Sequence, residues 1–395
     1  MNIFKWTHFL AKGNKSLFDI DHERQECYLN SLKIPKDDID RSYCQYKCQN
    51  IFLPRWKRMF FNIGAAIITP FLIIIYTIKS NLTCQYRYSV DAIGEFKGME
   101  EVVPDIITHE FDINNEVWCI SPGLRFSDFP FIIKILLRYP FAPYFFFKIL
   151  FKIGGYSSMI RRYTPRAILV HNEYSFTSSV LTAYCQKQGV EHINIMHGEK
   201  LFFIRDSFFH YDRCYVWNEH YVRLFHLLKA EFSQFRIASP ESIAVKPTNF
   251  DSNAYAEYKY YLAGYDESVL KSIIASLTFI ANGPKRLKYR PHPRYSDISL
   301  LKKLVPESEI EYPDKVDILK SIASCSYAIG SYSTVLFQAY NSGKRIILDD
   351  KTFKEEYNKL KSLEYHLACV QDVNLLSEFQ AKKYEKIFNC PSSNI

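Results

Sequence analysis

Short apolar runs alternate with helical segments along the middle of the chain. Ala167–Val170 is one such run, residues 175–188 follow with the spacing of a helix, and residues 192–196 are a second run. Residues 213–217 repeat the apolar pattern. Strand, helix and strand at this spacing are typical of a βαβ unit, so we predict a parallel sheet here.

The alternation restarts after a polar stretch. Residues 241–254 are predicted to link an N-terminal α/β domain, residues 1–240, to a C-terminal Rossmann-like domain, residues 255–395. The tail of the second domain is a candidate to pack back on the first. We predict an α/β fold with two doubly wound, Rossmann-type domains facing a cleft. The predicted strands and helices of the second domain are residues 260–262, 269–280, 287–289, 316–324, 327–329, 333–342 and 345–348.

Composition and charge narrow the class of protein. Apolar residues make up 48% of the 395 residues and charged residues 23%, which excludes a disordered chain. The ten cysteines are scattered and the N-terminus lacks a signal-peptide pattern, so we expect a reduced, cytoplasmic protein. The net charge is +8 and 16% of the residues are aromatic. Such a surplus of rings and cations is typical of a protein that stacks a ligand or meets an anionic membrane.

Two segments before residue 166 indicate contact with a membrane. Residues 59–78 are uncharged with basic residues on both sides, which leaves three alternatives open: a helix that spans the bilayer, lies on it, or is buried in the protein. Residues 129–166 contain seven basic residues, no acidic residue and the aromatic run 139–147. This pattern suits an anionic headgroup layer, and it equally suits a core helix with solvated cations. Nucleic acid is not an expected partner, because no nucleic-acid-binding motif accompanies the rings.

A hydroxyl-rich turn is the strongest candidate for a ligand site. Gly330, Ser331, Ser333 and Thr334 lie between a predicted strand and a predicted helix. Backbone N–H groups and hydroxyls at a helix start form a natural phosphate site, although an ordinary helix cap by Ser331 or Ser333 explains the same residues. The turn matches neither a P-loop nor a dinucleotide-binding glycine motif.

A stiff basic loop is the second candidate. It reads Arg290-Pro291-His292-Pro293-Arg294 and follows a predicted strand. The two prolines hold His292 in a fixed direction, and Arg290 and Arg294 surround it with positive charge, which suits a phosphate or a carboxylate. A rigid loop with a surface histidine is the structural alternative.

Acidic residues end two predicted strands of the first domain. Glu173 follows the first strand and is the candidate general base, although an acid near a helix start also has a plain electrostatic explanation. His197 and Glu199 follow the next strand and are the alternative bases. Asp349 and Asp350 are adjacent carboxylates after a strand, and we expect no metal site there or elsewhere.

In this order the motifs resemble the bacterial GT-B glycosyltransferases that carry an HP motif, a group that includes the sialyltransferases and polysialyltransferases of capsule and lipooligosaccharide synthesis. The resemblance extends over residues 166–350. The family's acidic motif is Asp/Glu-Asp/Glu-Gly; Asn172-Glu173-Tyr174 stands in its place, so only Glu173 carries over. The HP histidine falls on His292. The family's Ser/Thr motif falls on Ser331, Ser333 and Thr334.

The resemblance implies a GT-B-like fold and an inverting glycosyltransferase that needs neither metal nor cofactor. Glu173 would deprotonate an acceptor hydroxyl, while His292, its flanking arginines and the Ser/Thr turn would stabilise the departing nucleotide phosphate. It favours a CMP-activated sialic or other nonulosonic acid as donor, without excluding Kdo, UDP-sugars or CDP-polyols, and a surface polysaccharide or glycolipid as acceptor. The implied location is the bacterial cytoplasm, on the inner face of the cytoplasmic membrane.

Two other functions stay open. A non-catalytic nucleotide- or polysaccharide-binding protein of a capsule assembly would explain the incomplete acidic motif. A nucleotide-sugar epimerase of the GT-B fold would share the architecture. The three functions differ in what is turned over. A transferase consumes a nucleotide sugar only when an acceptor is present, an epimerase converts a nucleotide sugar alone, and a binding protein converts neither.

Overall fold

Two compact units make up the chain, Met1–Pro240 and Glu241–Ile395. The computed structural model describes residues 21–51, 53–82, 88–95, 102–115, 122–243, 255–280 and 286–381. Most of the predicted linker and the C-terminal tail from residue 382 lie outside the described residues. That the two domains face one cleft stays a prediction.

The N-terminal unit is built on a parallel sheet with the strand order β2-β1-β3-β4-β5-β6. The strand β3 is buried at all four positions and β4 at four of five, as parallel strands covered by helices require. In chain order the strands are β1 (Ala92–Gly94), β2 (Ile113–Asn114), β3 (Ala167–Val170), β4 (Glu191–Ile195), β5 (Arg213–Val216) and β6 (Phe235–Ile237).

Helices surround this sheet. Asp37 caps the second of them by accepting hydrogen bonds from the backbone N–H groups of Ile39 and Asp40, both at 3.1 Å. In chain order the helices are α1 (His22–Ser31), α2 (Asp38–Asn50), α3 (Arg55–Leu82), α4 (Asp105–Glu110), α5 (Phe129–Arg138), α6 (Pro143–Tyr163), α7 (Ser178–Lys187) and α8 (Glu219–Leu227).

The long helix α3 contains the uncharged segment 59–78 and is not a core helix. It is long and apolar enough to cross a bilayer, yet only 17% of its most apolar window is buried. The alternative that residues 59–78 are buried in the protein is therefore wrong. One face of α3 packs against α6, and the other faces outward with large apolar side chains.

The basic and aromatic segment 129–166 divides between core and surface. Within α6, Phe145, Ile149 and Ile153 are fully buried, so this helix is a core element. Several of the cations have acidic or backbone partners. Arg138 pairs with Asp37 and Asp40, Lys152 with Glu95, and Arg161 with the carbonyl of Ser80. Much of the positive charge of this segment is thus neutralised inside the unit.

The C-terminal unit is built on a second parallel sheet, with the order β11-β10-β9-β7-β8. Its strands are β7 (Ala256–Tyr261), β8 (Leu287–Arg290), β9 (Cys325–Gly330), β10 (Arg345–Leu348) and β11 (Asn374–Leu375). Its helices are α9 (Glu267–Ser276), α10 (Ile298–Leu304), α11 (Ile318–Ala323), α12 (Thr334–Asn341), α13 (Lys354–Ser362) and α14 (His366–Cys369). Asp266, Asp297, Asp317 and Ser333 cap α9 to α12 in turn.

The predicted fold class is confirmed, because both units are doubly wound parallel α/β structures of the Rossmann type, the plan of a GT-B-like chain. Each sheet reverses its winding once, between β1 and β3 in the first and between β7 and β9 in the second. Open α/β sheets bind ligands at such reversals, beyond the carboxyl ends of the strands. Both reversals carry the polar residues singled out from the sequence.

Candidate active site

Three loops of the C-terminal unit meet at the carboxyl edge of its sheet. One is the β7–α9 turn, residues 262–266, and it lies at the winding reversal. The others follow the two strands that flank β7: the loop of His292 after β8, and the turn of Ser331 after β9. The structure therefore brings the two predicted phosphate-binding segments to neighbouring positions on one edge.

The β7–α9 turn joins the two predicted segments. The hydroxyl of Ser296 donates to the carbonyl of Ala263 at 2.8 Å and accepts from the backbone N–H of His292 at 2.8 Å. On the other side, the hydroxyls of Tyr265 and Ser331 are 3.0 Å apart. Gly264 allows the loops to approach, because a Cβ there would lie 2.8 Å from the carbonyl oxygen of Tyr295. These contacts therefore attach both the His292 loop and Ser331 to the β7–α9 turn.

The local geometry of His292 fixes which ring nitrogen carries the proton. Its Nδ1 accepts a hydrogen bond from the backbone N–H of Arg294 at 3.1 Å, and its ring stacks on Tyr295 with centroids 4.6 Å apart. Partial burial and the nearby Arg294 lower the pKa of His292, so the ring is neutral at pH 7. A neutral ring that accepts at Nδ1 carries its proton on Nε2. His292 can thus donate one hydrogen bond to an anionic ligand.

The hydroxyl-rich turn combines a helix cap with a possible ligand surface. Ser333 is the cap of α12, and its Oγ accepts from the backbone N–H of Val335 at 3.2 Å. Thr334 begins the helix and is half-buried. Gly330 leaves little room for a side chain, because a Cβ would meet Leu336 and the carbonyl of Tyr261 at 3.3 Å. The cap and the phosphate-site interpretations are compatible, since a capped helix start still presents positive backbone potential to an anion.

The two arginines of the basic loop have different surroundings. Arg290 is buried; its guanidinium pairs with Glu311 at 2.9 Å and donates to the carbonyl of Val316 at 2.8 Å. Both terminal nitrogens of the guanidinium are thus engaged by the protein, which indicates that Arg290 supports the loop. Arg294 is exposed, and it is the arginine of the pair that a ligand can reach.

The aspartates after β10 have structural partners. Asp349 is buried and accepts from the hydroxyl of Tyr260 at 2.8 Å, while Asp350 accepts from the backbone N–H of Ser377 at 3.0 Å. Within the described ranges, no group of three or more His, Cys, Asp or Glu residues is arranged to hold a metal ion.

Polar residues also gather at the carboxyl edge of the N-terminal sheet. Glu95 follows β1, the His171–Glu173 segment follows β3, and the His197–Lys200 segment follows β4. Glu95 accepts hydrogen bonds from the amide of Asn172 and from Lys152. The rings of His171 and His197 meet edge to face with centroids 4.4 Å apart. This cluster lies at the winding reversal of its sheet.

Glu173 is placed differently from the prediction of a base open to substrate. Its side chain is fully buried, and its carboxylate accepts from Lys200 at 3.2 Å and from the amide of Asn194 at 3.1 Å. Although burial works in the opposite direction, Lys200, His197 and Asn194 lower the pKa of Glu173. A carboxylate whose charge is balanced by a lysine is a weaker proton acceptor than an unpaired one, so these contacts favour a structural role for Glu173.

The carboxyl group of Glu199 is buried like that of Glu173, but among the described residues it is not paired with a cation. Burial raises its pKa to about 8, against the opposing effect of a hydrogen bond from the hydroxyl of Tyr221 at 2.6 Å. Its other oxygen, Oε1, has no hydrogen-bond partner among the described residues, and neither has Nδ1 of His197 nearby in sequence. A carboxyl group with a pKa near working pH suits acid–base catalysis.

Sequence reasoning missed three contributors to these clusters. Glu95 follows a strand of only three residues, which is too short to show an apolar pattern in the sequence. Lys200 and Tyr221 contribute through tertiary contacts: Lys200 pairs with Glu173, and the hydroxyl of Tyr221 donates a hydrogen bond to Glu199. The only local signal for Lys200 was its position directly after the polar strand end that contains His197 and Glu199.

Comparison with known proteins identifies similar folds and no family. No family model matches the chain, and no curated protein matches it. Among solved structures, the glycosyltransferase of kitacinnamycin is 9% identical with a TM-score of 0.45, over 78% of this chain and 92% of its own. UDP-GlcNAc 2-epimerase from Methanocaldococcus jannaschii is 13% identical, with a TM-score of 0.42 over 77% of this chain and 93% of its own.

A third similar structure is the wall teichoic acid polymerase TagF, 9% identical with a TM-score of 0.42 over 85% of this chain and 92% of its own. At these identities and TM-scores, function has to be argued from this chain's own residues.

Proposed function

We propose that the chain is a glycosyltransferase that moves a sugar from a nucleotide donor to a glycan or glycolipid acceptor with inversion. The observation that supports it most is the convergence of the His292 loop and the Ser331 turn on the β7–α9 turn. In this proposal the C-terminal unit holds the donor phosphate through Nε2 of His292, the guanidinium of Arg294 and the start of α12 near Thr334.

The N-terminal unit supplies the proton acceptor in this proposal. Glu199 takes the proton of the acceptor hydroxyl as the oxygen attacks the anomeric carbon, and the bond to the nucleotide phosphate breaks. The negative charge that grows on the phosphate is stabilised by the His292 loop and the Ser/Thr turn, in place of a metal ion. Because its pKa is about 8, Glu199 would be ionised, and so able to act as a base, at mildly alkaline pH.

For the donor we favour a CMP-linked sialic or other nonulosonic acid, on the strength of the motif order from Glu173 to Thr334. For the acceptor we favour a surface polysaccharide or its lipid-linked precursor, elongated on the cytoplasmic face of a bacterial membrane. Neither a metal ion nor a resident cofactor takes part in the proposed reaction.

A thermal unfolding screen against CMP, CDP, UDP and GDP tests the donor site. A nucleotide that binds only the folded chain at 100 times its Kd stabilises it by about 2.7 kcal/mol, so we expect CMP to raise Tm by several degrees. Thr334→Val removes one hydroxyl at constant shape and should reduce the shift. Thr278→Val, beyond the end of α9, is the matched control. A shift with UDP or CDP alone would overturn the CMP preference, and no shift with any nucleotide would contradict the donor site.

His292→Ala should lower the turnover of sugar transfer by about 10²–10³-fold, the cost typical of removing one donor from a developing anion. Release of free nucleotide in the presence of acceptor is the measurement. His109→Ala removes an exposed histidine from α4 and should leave turnover unchanged. Near-normal turnover of His292→Ala would mean that the histidine only shapes a stiff loop.

A further inference from the structure

The helix α3 presents a continuous apolar face to the outside of the N-terminal unit. The side chains at Ile67 and Phe71 are 61% and 62% exposed, and their neighbours one turn away are similarly exposed. The face consists of Trp56, Met59, Phe60, Ile63, Ile67, Ile68, Phe71, Ile74, Ile75 and Ile78, and we call it the apolar outer face. A contiguous apolar surface of this length is unusual on a protein that meets only water, and it marks a site of interaction.

The opposite side of α3 is attached to the protein at three points between Asn62 and Ser80. Near its start, Oδ1 of Asn62 accepts from the backbone N–H of Tyr144 at 3.1 Å. Further along, the ring of Tyr76 packs so closely on Gly154 that a Cβ there would lie 3.0 Å from it. Near its end, Arg161 donates to the carbonyl of Ser80 at 2.7 Å.

These contacts show that α3 runs parallel to α6 and is fixed to it. The three contacts join residues about 80 positions apart, so the two helices keep the same direction. Because α6 is a core helix of the unit, α3 could cross a bilayer only by leaving it. A helix held in this way can instead lie in the plane of a bilayer, where its outer half enters the apolar layer.

Charge favours an anionic phospholipid bilayer over a second copy of this chain as the occupant. The sequence of α3 contains no acidic residue, and basic residues stand at both ends of the apolar outer face, with Arg55 and Lys79 exposed. Two copies of such a surface would bring like charges together, whereas lipid phosphates would pair with them. Trp56 at one end suits the headgroup level.

A second surface of the same chemistry lies close to the start of α3. Ile133, Leu136 and Leu137 of α5 are exposed, and Phe141 beyond it is 97% exposed. Phe141 precedes by three residues Tyr144, whose backbone is bonded to α3. The exposed Phe141 therefore lies three residues along the chain from a residue that contacts α3.

We propose that α3 docks the protein on an anionic bilayer as an in-plane helix, with the apolar outer face immersed and the inner face on α6. The helix of 28 residues would extend about 42 Å along the surface. The proposal does not depend on the proposed sugar transfer, because it rests only on contacts and exposure within the N-terminal unit.

Co-sedimentation of the full chain with vesicles tests the docking. We expect binding to phosphatidylcholine vesicles that contain phosphatidylglycerol, and weaker binding to phosphatidylcholine alone. Ile67→Glu and, separately, Ile74→Glu should each reduce binding about tenfold or more, because a carboxylate in the apolar layer is costly. Leu227→Glu, on α8 and 53% exposed, is the matched control and should bind as the wild type does. Thermal unfolding shows whether each variant is folded.

Labelling from one side of the vesicle tests the orientation. Arg55→Cys and Lys79→Cys should both gain label from a membrane-impermeant maleimide added outside, above the background of the native cysteines. If one end is labelled only after detergent, α3 spans the bilayer and the in-plane proposal is wrong. Failure of wild type to bind anionic vesicles also overturns it. A dimer that Ile67→Glu converts to monomers, without vesicle binding, would assign the face to a second copy.

Discussion

Glu199→Gln is expected to lower the turnover of sugar transfer by about 10²–10⁴-fold, the range that a general base contributes. Glutamine keeps the shape of the side chain and can still accept the hydrogen bond that Tyr221 donates at 2.6 Å. It cannot take a proton from an acceptor hydroxyl. Donor binding should therefore stay near its wild-type value, as measured by the nucleotide-induced shift of Tm.

The pH dependence gives the same test a second readout. Burial raises the pKa of Glu199 from 4.5 to about 8, so the ionised base is scarce below that pH. Turnover of the wild type should rise as the pH rises towards 8 and then level off. Stability should change in the opposite direction, because a folded state that binds the proton more tightly loses that advantage as the pH rises through 8. Glu199→Gln should lose both dependences.

Glu173→Gln is the matched comparison, since it removes a carboxylate from the same cluster. Its partner Lys200 would remain buried without a counter-charge. We therefore expect Glu173→Gln to lower the stability of the folded chain more than it lowers the turnover of sugar transfer. If Glu173→Gln is folded and inactive while Glu199→Gln remains active, the base is Glu173. If both remain active and His197→Ala is inactive with donor binding preserved, the base is His197.

Glu311→Ala is expected to destabilise the C-terminal unit by about 3–5 kcal/mol, the cost of removing one partner from a buried ion pair. Glu311 is buried and pairs with both Lys259 and Arg290, which are buried themselves. Lys259 is also hydrogen-bonded to the hydroxyl of Ser324 at 2.7 Å, which does not replace a charge. Because Arg290 ends β8, the support of the His292 loop would weaken as well.

Hydrogen exchange measures the loss of stability separately in the C-terminal unit. Peptides covering β7 and β9 should exchange faster in Glu311→Ala, while peptides covering β3 and β4 should change little. Glu307→Ala is the control, because Glu307 forms an exposed pair with Lys302 at 3.3 Å, and exposed pairs contribute little. Unchanged exchange in Glu311→Ala would contradict the buried network as a source of stability.

Local sequence was sufficient where an element's own pattern decides its structure. The strands Ala167–Val170 and Arg345–Leu348 were predicted with their observed bounds, because a parallel strand covered on both faces is a continuous apolar run. The helices predicted at residues 175–188, 316–324 and 333–342 were observed with both ends within three residues of the predicted ones. The observed bounds differ from the predicted ones where a cap sets the end of a helix: Asp266 caps α9, which starts at Glu267, two residues before the predicted start at residue 269.

The sequence predicted which polar residue types follow the strands, but it did not predict which of them acts as the base. Glu173 and Glu199 are both acids directly after apolar strands, and the sequence does not distinguish them. Tertiary contacts do, since Lys200 neutralises Glu173, while among the described residues Glu199 receives a hydrogen bond from the hydroxyl of Tyr221 alone. Desolvation and charge pairing shift a pKa in opposite directions, and which of them dominates depends on neighbours distant in sequence.

The sequence by itself therefore determined the central strands of the two parallel sheets and most of the polar residues that follow them, because strand burial and helix spacing are local signals. Only the tertiary structure decided that Arg290 is a buried support, that His292 carries its proton on Nε2, and that α3 is fixed to α6 with an apolar face outward. The physical reason is that burial, ion pairing and helix packing depend on residues brought together by the fold. The twenty uncharged residues of α3 would have the same composition whether the helix spans a bilayer, lies flat on it or is buried in the protein. The contacts of α3 with α6 distinguish these alternatives.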